Sequence, residues 1–535
     1  MKVKNSKNKS VMKHSFAQVP RAEIPRSSFD RSHGVKTTFD SGYLVPFFAD
    51  EALPGDTFNL RTSGFARMAT PLYPIMDNLY MDTFYFAVPL RLIWDNFQKM
   101  MGEQDNPGDS IDFTAPTCPG ITVTGYLENS LQDYLGIPTG VPSLETNQFH
   151  ARAYNLIYNE WFRDQNLQDS VTVDKDDGPD TAPDYVLLQR GKRHDYFTSA
   201  LPWPQKGIAV DLPLGSQAPV TGIGKLNQSF TGSPNTTIYE SDGVTTTYTS
   251  NNFSIFGASA VDNFAVEEDA DNAGFPGIYA DLSSATASTI NELRQAFQIQ
   301  KMYERDARGG TRYTELIKSH FGVTSPDSRL QRPEYLGGGS SPVNITPIPQ
   351  TSESGTTAQG TLAAMGTSSF QGHGFTKSFT EHCVIIGLVN VRADLTYQQG
   401  LNKMFSRSDK LDFYWPALSH IGEQTVLNRE IYAQGTAADD DVFGYQERFA
   451  EYRYKPSTIH GAFRSNAATP LDAWHLSQDF GSLPTLGDTF IKDTPPVSRV
   501  VATPSEPEFI ADFYHKLICA RPMPMNGTPG LIDHF

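Results

Sequence analysis

Asp174, Asp176, Asp177 and Asp180 form the densest set of potential cation ligands in the chain. A calcium loop draws oxygens from alternate positions and closes on a bidentate Glu. Here the fifth position is Gly178 and the closing Glu is missing. Asp269 and Asp271 fail similarly, with Ala273 in the fifth place. Solvated loops are the expectation for both runs, and no metal is assigned. Gly222 and Gly224 supply only a GIG fragment of a phosphate loop, in an acidic stretch with little positive charge to hold a phosphate. The sequence has no HExxH zinc helix, GxSxG elbow, P-loop or GxGxxG after a strand, so no cofactor is expected. Carboxylates for glycoside hydrolysis can come from distant strands, so spacing neither selects nor removes a pair.

The strongest charge group in the body is RGKRHD, where Arg190, Lys192 and Arg193 adjoin His194 and Asp195. It reads either as a nucleic-acid or subunit contact or as a surface loop satisfied by local ion pairs, and the second is the expectation. Cys118, Cys383 and Cys519 are far apart and form no CxxC pair, so buried reduced thiols are expected.

The elements that must carry these residues are mainly β. Apolar residues make up 39% and charged residues 19%, and the 42 Gly and 36 Pro suit turn-rich sheet better than a helix bundle. In Asp82–Leu90 (DTFYFAVPL), Phe84, Phe86 and Val88 point one way and Tyr85 and Ala87 the other, so both faces are apolar. Cys383–Val391 (CVIIGLVNV) reads the same way, as a strand inside a sandwich. Two stretches follow a helical period. Phe149, Ala153, Leu156, Ile157, Glu160 and Trp161 form one, with Thr146 placed to cap it. The other opens at Thr289 with Glu292 in a capping box, runs through Leu293, Phe297 and Tyr303, and ends by Gly309 and Gly310. No apolar run approaches the roughly 20 residues that span a bilayer, and the Lys-rich start lacks the apolar segment of a signal peptide. Cytosolic synthesis without membrane insertion is expected.

Charge divides the chain. Residues 1–36 carry nine cations against Glu23 and Asp30, a net of +7, which leaves −24 for the rest of a chain of −17. Lys2, Lys4, Lys7, Lys9 and Lys13 begin this arm. A polyanion-binding tail and a solvated terminus fit it equally. Residues 215–288 are dense in Thr, Ser, Asn and Gly and hold eight acids against Lys225, a net of −7. A structureless connection that long is improbable inside a compact domain, so an inserted subdomain or projecting loop is expected. A shorter Gly/Ser-rich stretch, residues 337–369, is read as a loop. The organisation is therefore a basic arm (1–36), a body (37–214), an insertion (215–288) and the remainder of the body (289–535).

Several long stretches resemble the major capsid proteins of gokushovirus-type microviruses, small tailless phages with single-stranded DNA. They are Pro71–Phe97 (PLYPIMDNLYMDTFYFAVPLRLIWDNF), Arg190–Gly207 (RGKRHDYFTSALPWPQKG), Tyr303–Gly337 (YERDARGGTRYTELIKSHFGVTSPDSRLQRPEYLG), Tyr397–Pro416 and Val442–Pro456 (VFGYQERFAEYRYKP). The last has the aromatic and Arg density of a subunit contact surface. The resemblance runs from about residue 15 to residue 535, except over 215–288 and 337–369.

The resemblance implies an eight-stranded antiparallel jelly roll with long loop insertions and a few short helices, sixty copies closing a T=1 icosahedron, and no enzymatic activity. It implies that the insertion projects at the threefold axes toward a bacterial surface receptor, with Tyr239, Tyr248, Phe253 and Phe256 anchoring either a receptor or the spike core. It also implies an enclosed circular single-stranded genome, an internal scaffolding protein and a small basic packaging protein. The 535 codons of this chain alone need about 1,600 nucleotides, so sixty arms of +7 neutralise at most roughly a quarter of the phosphates. Two rival classes are a monomeric adhesin or lectin and a β-rich carbohydrate-active enzyme.

Overall fold

The computed structural model describes residues 25–208, 210, 220–221, 279–280 and 290–526. Eight strands carry the fold: β1 (His33–Phe39), β2 (Val45–Ala52), β3 (Thr57–Met68), β4 (Leu79–Pro89), β5 (Glu334–Pro349), β6 (Leu362–Ser378), β7 (Cys383–Ala393) and β8 (Phe509–Arg521). They form two antiparallel leaves, in the orders β1–β8–β3–β6 and β2–β7–β4–β5. This is the strand order of a jelly roll, as the resemblance implied. A short strand, Ser27–Asp30, extends the β1 edge by pairing with the end of β8.

The leaves join because β5 and β6 change partners along their length. Glu334–Val343 pairs with β4, and Asn344–Pro349 pairs with β6, which then continues along β3. Most of the 337–369 stretch is therefore strand, not loop, and only residues 350–361 connect. The glycines mislead because close approach demands them here: a Cβ on Gly338 would lie 2.0 Å from the Thr83 carbonyl oxygen, beside a bulge at Tyr335/Gly337.

The leaf of β1, β8, β3 and β6 follows its sequence period. Phe58, Leu60, Thr62 and Ala66 of β3 point inward with Phe509, Phe513, His515 and Leu517 of β8, while their alternates face out. In the other leaf, β4 and β7 are buried on both faces. Tyr85 and Ala87 enter the core between the leaves, and Phe86 and Val88 enter a second core under α1 (Phe149–Ile157). Each fully buried large apolar side chain is worth about 1.5–3 kcal/mol, so neither core is dispensable.

The helix α1 starts later than expected. Gln148 precedes it without a side-chain cap, and the Thr146 hydroxyl accepts from Gln148 Nε2 at 3.2 Å instead of capping. Inside α1, Arg152 is fully buried and donates through Nε to Asp180 at 2.7 Å and through Nη1 to the Ile93 carbonyl at 3.1 Å. Asp176 also contacts Arg152, and Asp177 accepts from Trp94 and Asn96. Among the described residues no three His, Cys, Asp or Glu side chains are grouped to hold a metal. The aspartate run is thus a clamp on a buried guanidinium, and Asp180 is not solvated, contrary to the loop expectation. The later helices are α2 (Ile290–Gly309) and α3 (Tyr313–Phe321).

The chain divides into two compact units, residues 1–206 with 304–535, and residues 207–303. In the second, Val220–Thr221 pairs antiparallel with Tyr279–Ala280. Residues 222–278 between them lie outside the described residues.

A buried polar clasp joins the leaves. The Thr62 hydroxyl sits 2.5 Å from the Tyr85 hydroxyl and 2.9 Å from His515 Nδ1, and His515 Nε2 lies 3.0 Å from the Phe47 carbonyl oxygen. Burial, with the His33 ring 5.1 Å away, lowers the His515 pKa to about 4. The unfolded chain takes up that proton near pH 6.5, so the stability contribution is full above pH 6.5 and is lost as pH falls toward 4. The thermal midpoint of the unassembled protein should fall across that window, and His515→Gln should flatten the fall while lowering stability at pH 7 by about 1–3 kcal/mol. An unchanged pH slope in the variant would contradict the assignment.

Candidate assembly surface

Residues 394–508, between β7 and β8, hold few long elements, yet they close around a third core of Tyr196, Phe197, Tyr397, Val426, Ile431, Phe443, Ala450 and Phe490. Polar groups brace it from within. Glu430 accepts from Tyr196 Oη at 2.8 Å, from the Leu427 amide at 3.0 Å and from Lys403 Nζ at 3.3 Å. Tyr397 Oη donates to Asp195 at 2.6 Å, and Gln446 Nε2 donates to the Tyr196 carbonyl at 2.8 Å. Burial next to these carboxylates raises the pKa of Tyr196 and Tyr397, so both phenols stay protonated donors.

This braced segment presents large apolar side chains outward. Phe405 is 70% exposed, Leu411 60%, Ile421 61%, and Phe413, Tyr414, Trp415, Tyr452 and Tyr454 are each 44–52% exposed. They are held despite their exposure. Arg407 lies 4.3 Å over the Tyr452 ring and 5.6 Å over Phe413 while paired with Glu451 at 3.2 Å. Trp415 donates to the Lys410 carbonyl at 2.9 Å under the Lys410 ammonium. Tyr414 packs edge-on to Phe449, whose left-handed backbone (φ 62°) is accepted because its amide donates to Gln424 at 2.9 Å. An exposed surface with Arg and aromatic side chains already fixed in place loses little entropy on association, which is how protein contact surfaces are built.

The RGKRHD run turns out to be structural. Arg190 donates to the buried Asp82 of β4 at 2.7 Å, and Arg392 of β7 reaches the same carboxylate at 2.8 Å. Arg193 pairs with Asp394 at 2.8 Å. Lys192 is buried, donates to the Phe490 carbonyl at 2.6 Å, and has its pKa lowered to about 8 by desolvation. Ion pairing was the expectation, but the partners are distant in sequence and Lys192 is not at the surface. Arg190, Lys192, Arg193 and Arg392 line a cleft of about 1200 Å³ together with Trp161, Tyr335, Arg308 and Arg312.

A mainly β body with a braced, outward-facing aromatic surface suits a subunit of an assembly, and the relatives agree. The family described as capsid protein (F protein) matches residues 17–531. The chain belongs to this capsid protein family. It is 49% identical to capsid protein VP1 of Bdellovibrio phage phiMH2K over 531 residues, covering 98% of each chain. Against capsid protein VP1 of Chlamydia phage 1 it is 43% identical, covering 99% of each, and against that of Spiroplasma virus 4 it is 37% identical, covering 99% of this chain and all of the relative. These are gokushoviruses, so the resemblance carried by the quoted stretches holds. The protein is a structural, major capsid protein of the virion.

Not every predicted residue of the capsid protein can be placed. Lys2, Lys4, Lys7, Lys9 and Lys13, and Tyr239, Tyr248, Phe253 and Phe256, lie outside the described residues. Cys118, Cys383 and Cys519 are free and buried, and desolvation pushes the Cys383 thiol up to about 12. Phe405, Phe413 and Trp415 were not singled out from the sequence, although they lie within the quoted Tyr397–Pro416 stretch. The run LDFYWP carried a usable signal: it is apolar without a strand or helix period, and no fold-internal reason places it in a loop.

Replacing both Phe405 and Trp415 by Ala should leave the thermal midpoint of the subunit nearly unchanged, because exposed side chains contribute little to folding. Loss of contact anchors worth about 2 kcal/mol each should weaken the contact about 30-fold per anchor, roughly 900-fold for the pair if additive, and raise the concentration needed for assembly accordingly. Sedimentation across a dilution series reads this, and wild-type assembly would remove the surface from the contact.

Proposed function

We propose that sixty copies of this chain close a T=1 icosahedral shell around a circular single-stranded DNA genome, and that the chain catalyses no reaction. The observation that carries this reading is the exposed aromatic surface of Phe405–Trp415 and Tyr452, braced from beneath and unsuited to a lone soluble subunit. Closed point-group assembly removes such surface from water at every copy. The capsid family membership and the two-leaf β body support it further.

The insertion meets the bacterial surface receptor in this reading. Its support is the pairing of Val220–Thr221 with Tyr279–Ala280, which brings the two ends of the acidic stretch together, and its net acidity and Thr/Ser content, which suit an outer surface. The basic arm, through Lys2, Lys4, Lys7, Lys9 and Lys13, contacts the genome. Its charge is too small to neutralise the DNA, so a small basic packaging protein shares the task. An internal scaffolding protein acts as a transient partner.

Coexpression with the scaffolding protein should yield uniform closed particles by electron microscopy and mass measurement, and a persistently monomeric species would refute the shell. Deleting residues 222–278 should permit particles while abolishing attachment to host cells; particles that still attach would refute the receptor role.

A further inference from the structure

One broad surface of the body is the outer face of the β1–β8–β3–β6 leaf. Its outward residues are set by the strand period and register. Arg61, Phe65 and Arg67 come from β3, Ile510, Asp512, Tyr514 and Lys516 from β8, and Lys36 from β1, with hydroxyls such as Ser369 and Thr376 from β6. In a chain of net charge −17, this face carries four cations against Asp512 and Asp30. Asp512 pairs with Lys36 at 3.8 Å, and Asp30 accepts from the Ser32 hydroxyl and amide while also lying within electrostatic reach of Lys516. Arg61, Arg67 and Lys516 make no hydrogen bond or ion pair among the described residues, and all three are exposed.

The register sharpens the point. Lys516 stands directly opposite Arg61, a like-charge cross-strand pair with one carboxylate, Asp30, near its Lys516 end, so the two cations outnumber the local anion. Beside this pair, Phe65 is 48% exposed and Tyr514 53%, on neighbouring strands in diagonal register. A cationic row flanked by exposed rings matches how proteins hold single-stranded nucleic acid without reading its sequence, with phosphates on the cations and bases stacked on the rings. The leaf edge points the same way, because Ser27–Asp30 pairs with β8, so the basic N-terminal arm enters the body at this leaf.

We infer that the outer face of the β1–β8–β3–β6 leaf is the genome-contacting surface of the subunit, with Arg61, Arg67 and Lys516 binding phosphates and Phe65 and Tyr514 stacking bases. The inference rests on the proposed enclosure of single-stranded DNA and assigns the contact to a folded surface in addition to the arm. An acidic segment of a second copy is the competing occupant.

The test uses the full-length chain and a labelled oligothymidylate, with affinity measured across a salt series. Arg61→Gln, Arg67→Gln and Lys516→Gln together should reduce the slope of log affinity against log salt by about 2, since each phosphate contact on a single strand contributes about 0.7. Phe65→Ala with Tyr514→Ala should weaken binding about tenfold or more with the slope unchanged. Circular dichroism should match the wild type in both, and the thermal midpoint of the triple variant should be no lower than that of the wild type, since a like-charge pair is removed. Wild-type affinity and slope in the triple variant would overturn the inference, and so would lost assembly with oligonucleotide binding intact, which would assign the face to a second copy. The triple substitution should have the same effect after Lys2, Lys4, Lys7, Lys9 and Lys13 are changed to Gln; if it then has none, the face only supports the arm and the inference fails. A wild-type chain that binds no oligonucleotide would instead overturn the DNA-enclosing reading beneath it.

Discussion

The strands β4 and β7 are apolar on both faces, so their leaf cannot stand in water without cover on each side. One side is met by the opposite leaf. The other is met by residues of the long excursion after β4, where Ile93, Leu131, Ala153, Tyr154, Ile157 and Tyr185 pack on Phe86, Val88, Val384 and Ile386. The asymmetry of the subunit follows from this requirement. One leaf is sealed beneath irregular chain, and the other keeps an exposed outer face free for other work.

Cover made of loops has a cost that regular elements avoid, since its backbone and polar groups have no ladder to satisfy them. Buried ionic hubs meet it. Arg152 gathers Asp176, Asp180 and the Ile93 carbonyl under α1. Asp82 joins Arg190 of the excursion to Arg392 of β7, and Glu430, itself paired with Lys403, fastens the segment between β7 and β8 to Tyr196. Removing one partner from such a hub leaves a charge buried and uncompensated, which costs more than the intact pair contributes. The hubs also explain why a loop-built surface can hold Trp415 and Tyr452 in fixed positions.

Much of the body was legible locally. DTFYFAVPL and CVIIGLVNV showed two apolar faces, and both became strands with the predicted residues entering separate cores. The aromatic and Arg density of Val442–Pro456 anticipated the part of the exposed surface that holds Tyr452 and Tyr454. Other features were illegible for physical reasons. Gly337, Gly338 and Gly339 signal turns by composition, whereas their role is to let β5 pass against Thr83 and His373. The Asp174–Asp180 run looked solvated because nothing nearby in sequence shows that Arg152 points at it. RGKRHD looked like a surface patch because its acids, Asp82 and Asp394, lie far along the chain.

By itself the sequence determined the strand periods, the charge division between residues 1–36 (+7) and residues 215–288 (−7), and membership of the capsid family, because each depends on residues close together or on long unbroken similarity. Only the tertiary structure decided which charges are spent internally and which remain free. Arg190 and Arg61 are the same residue type, yet register and burial place one on Asp82 and leave the other facing outward opposite Lys516. Pairing between residues a hundred or more positions apart is set by how the strands fold together, and no local pattern encodes it.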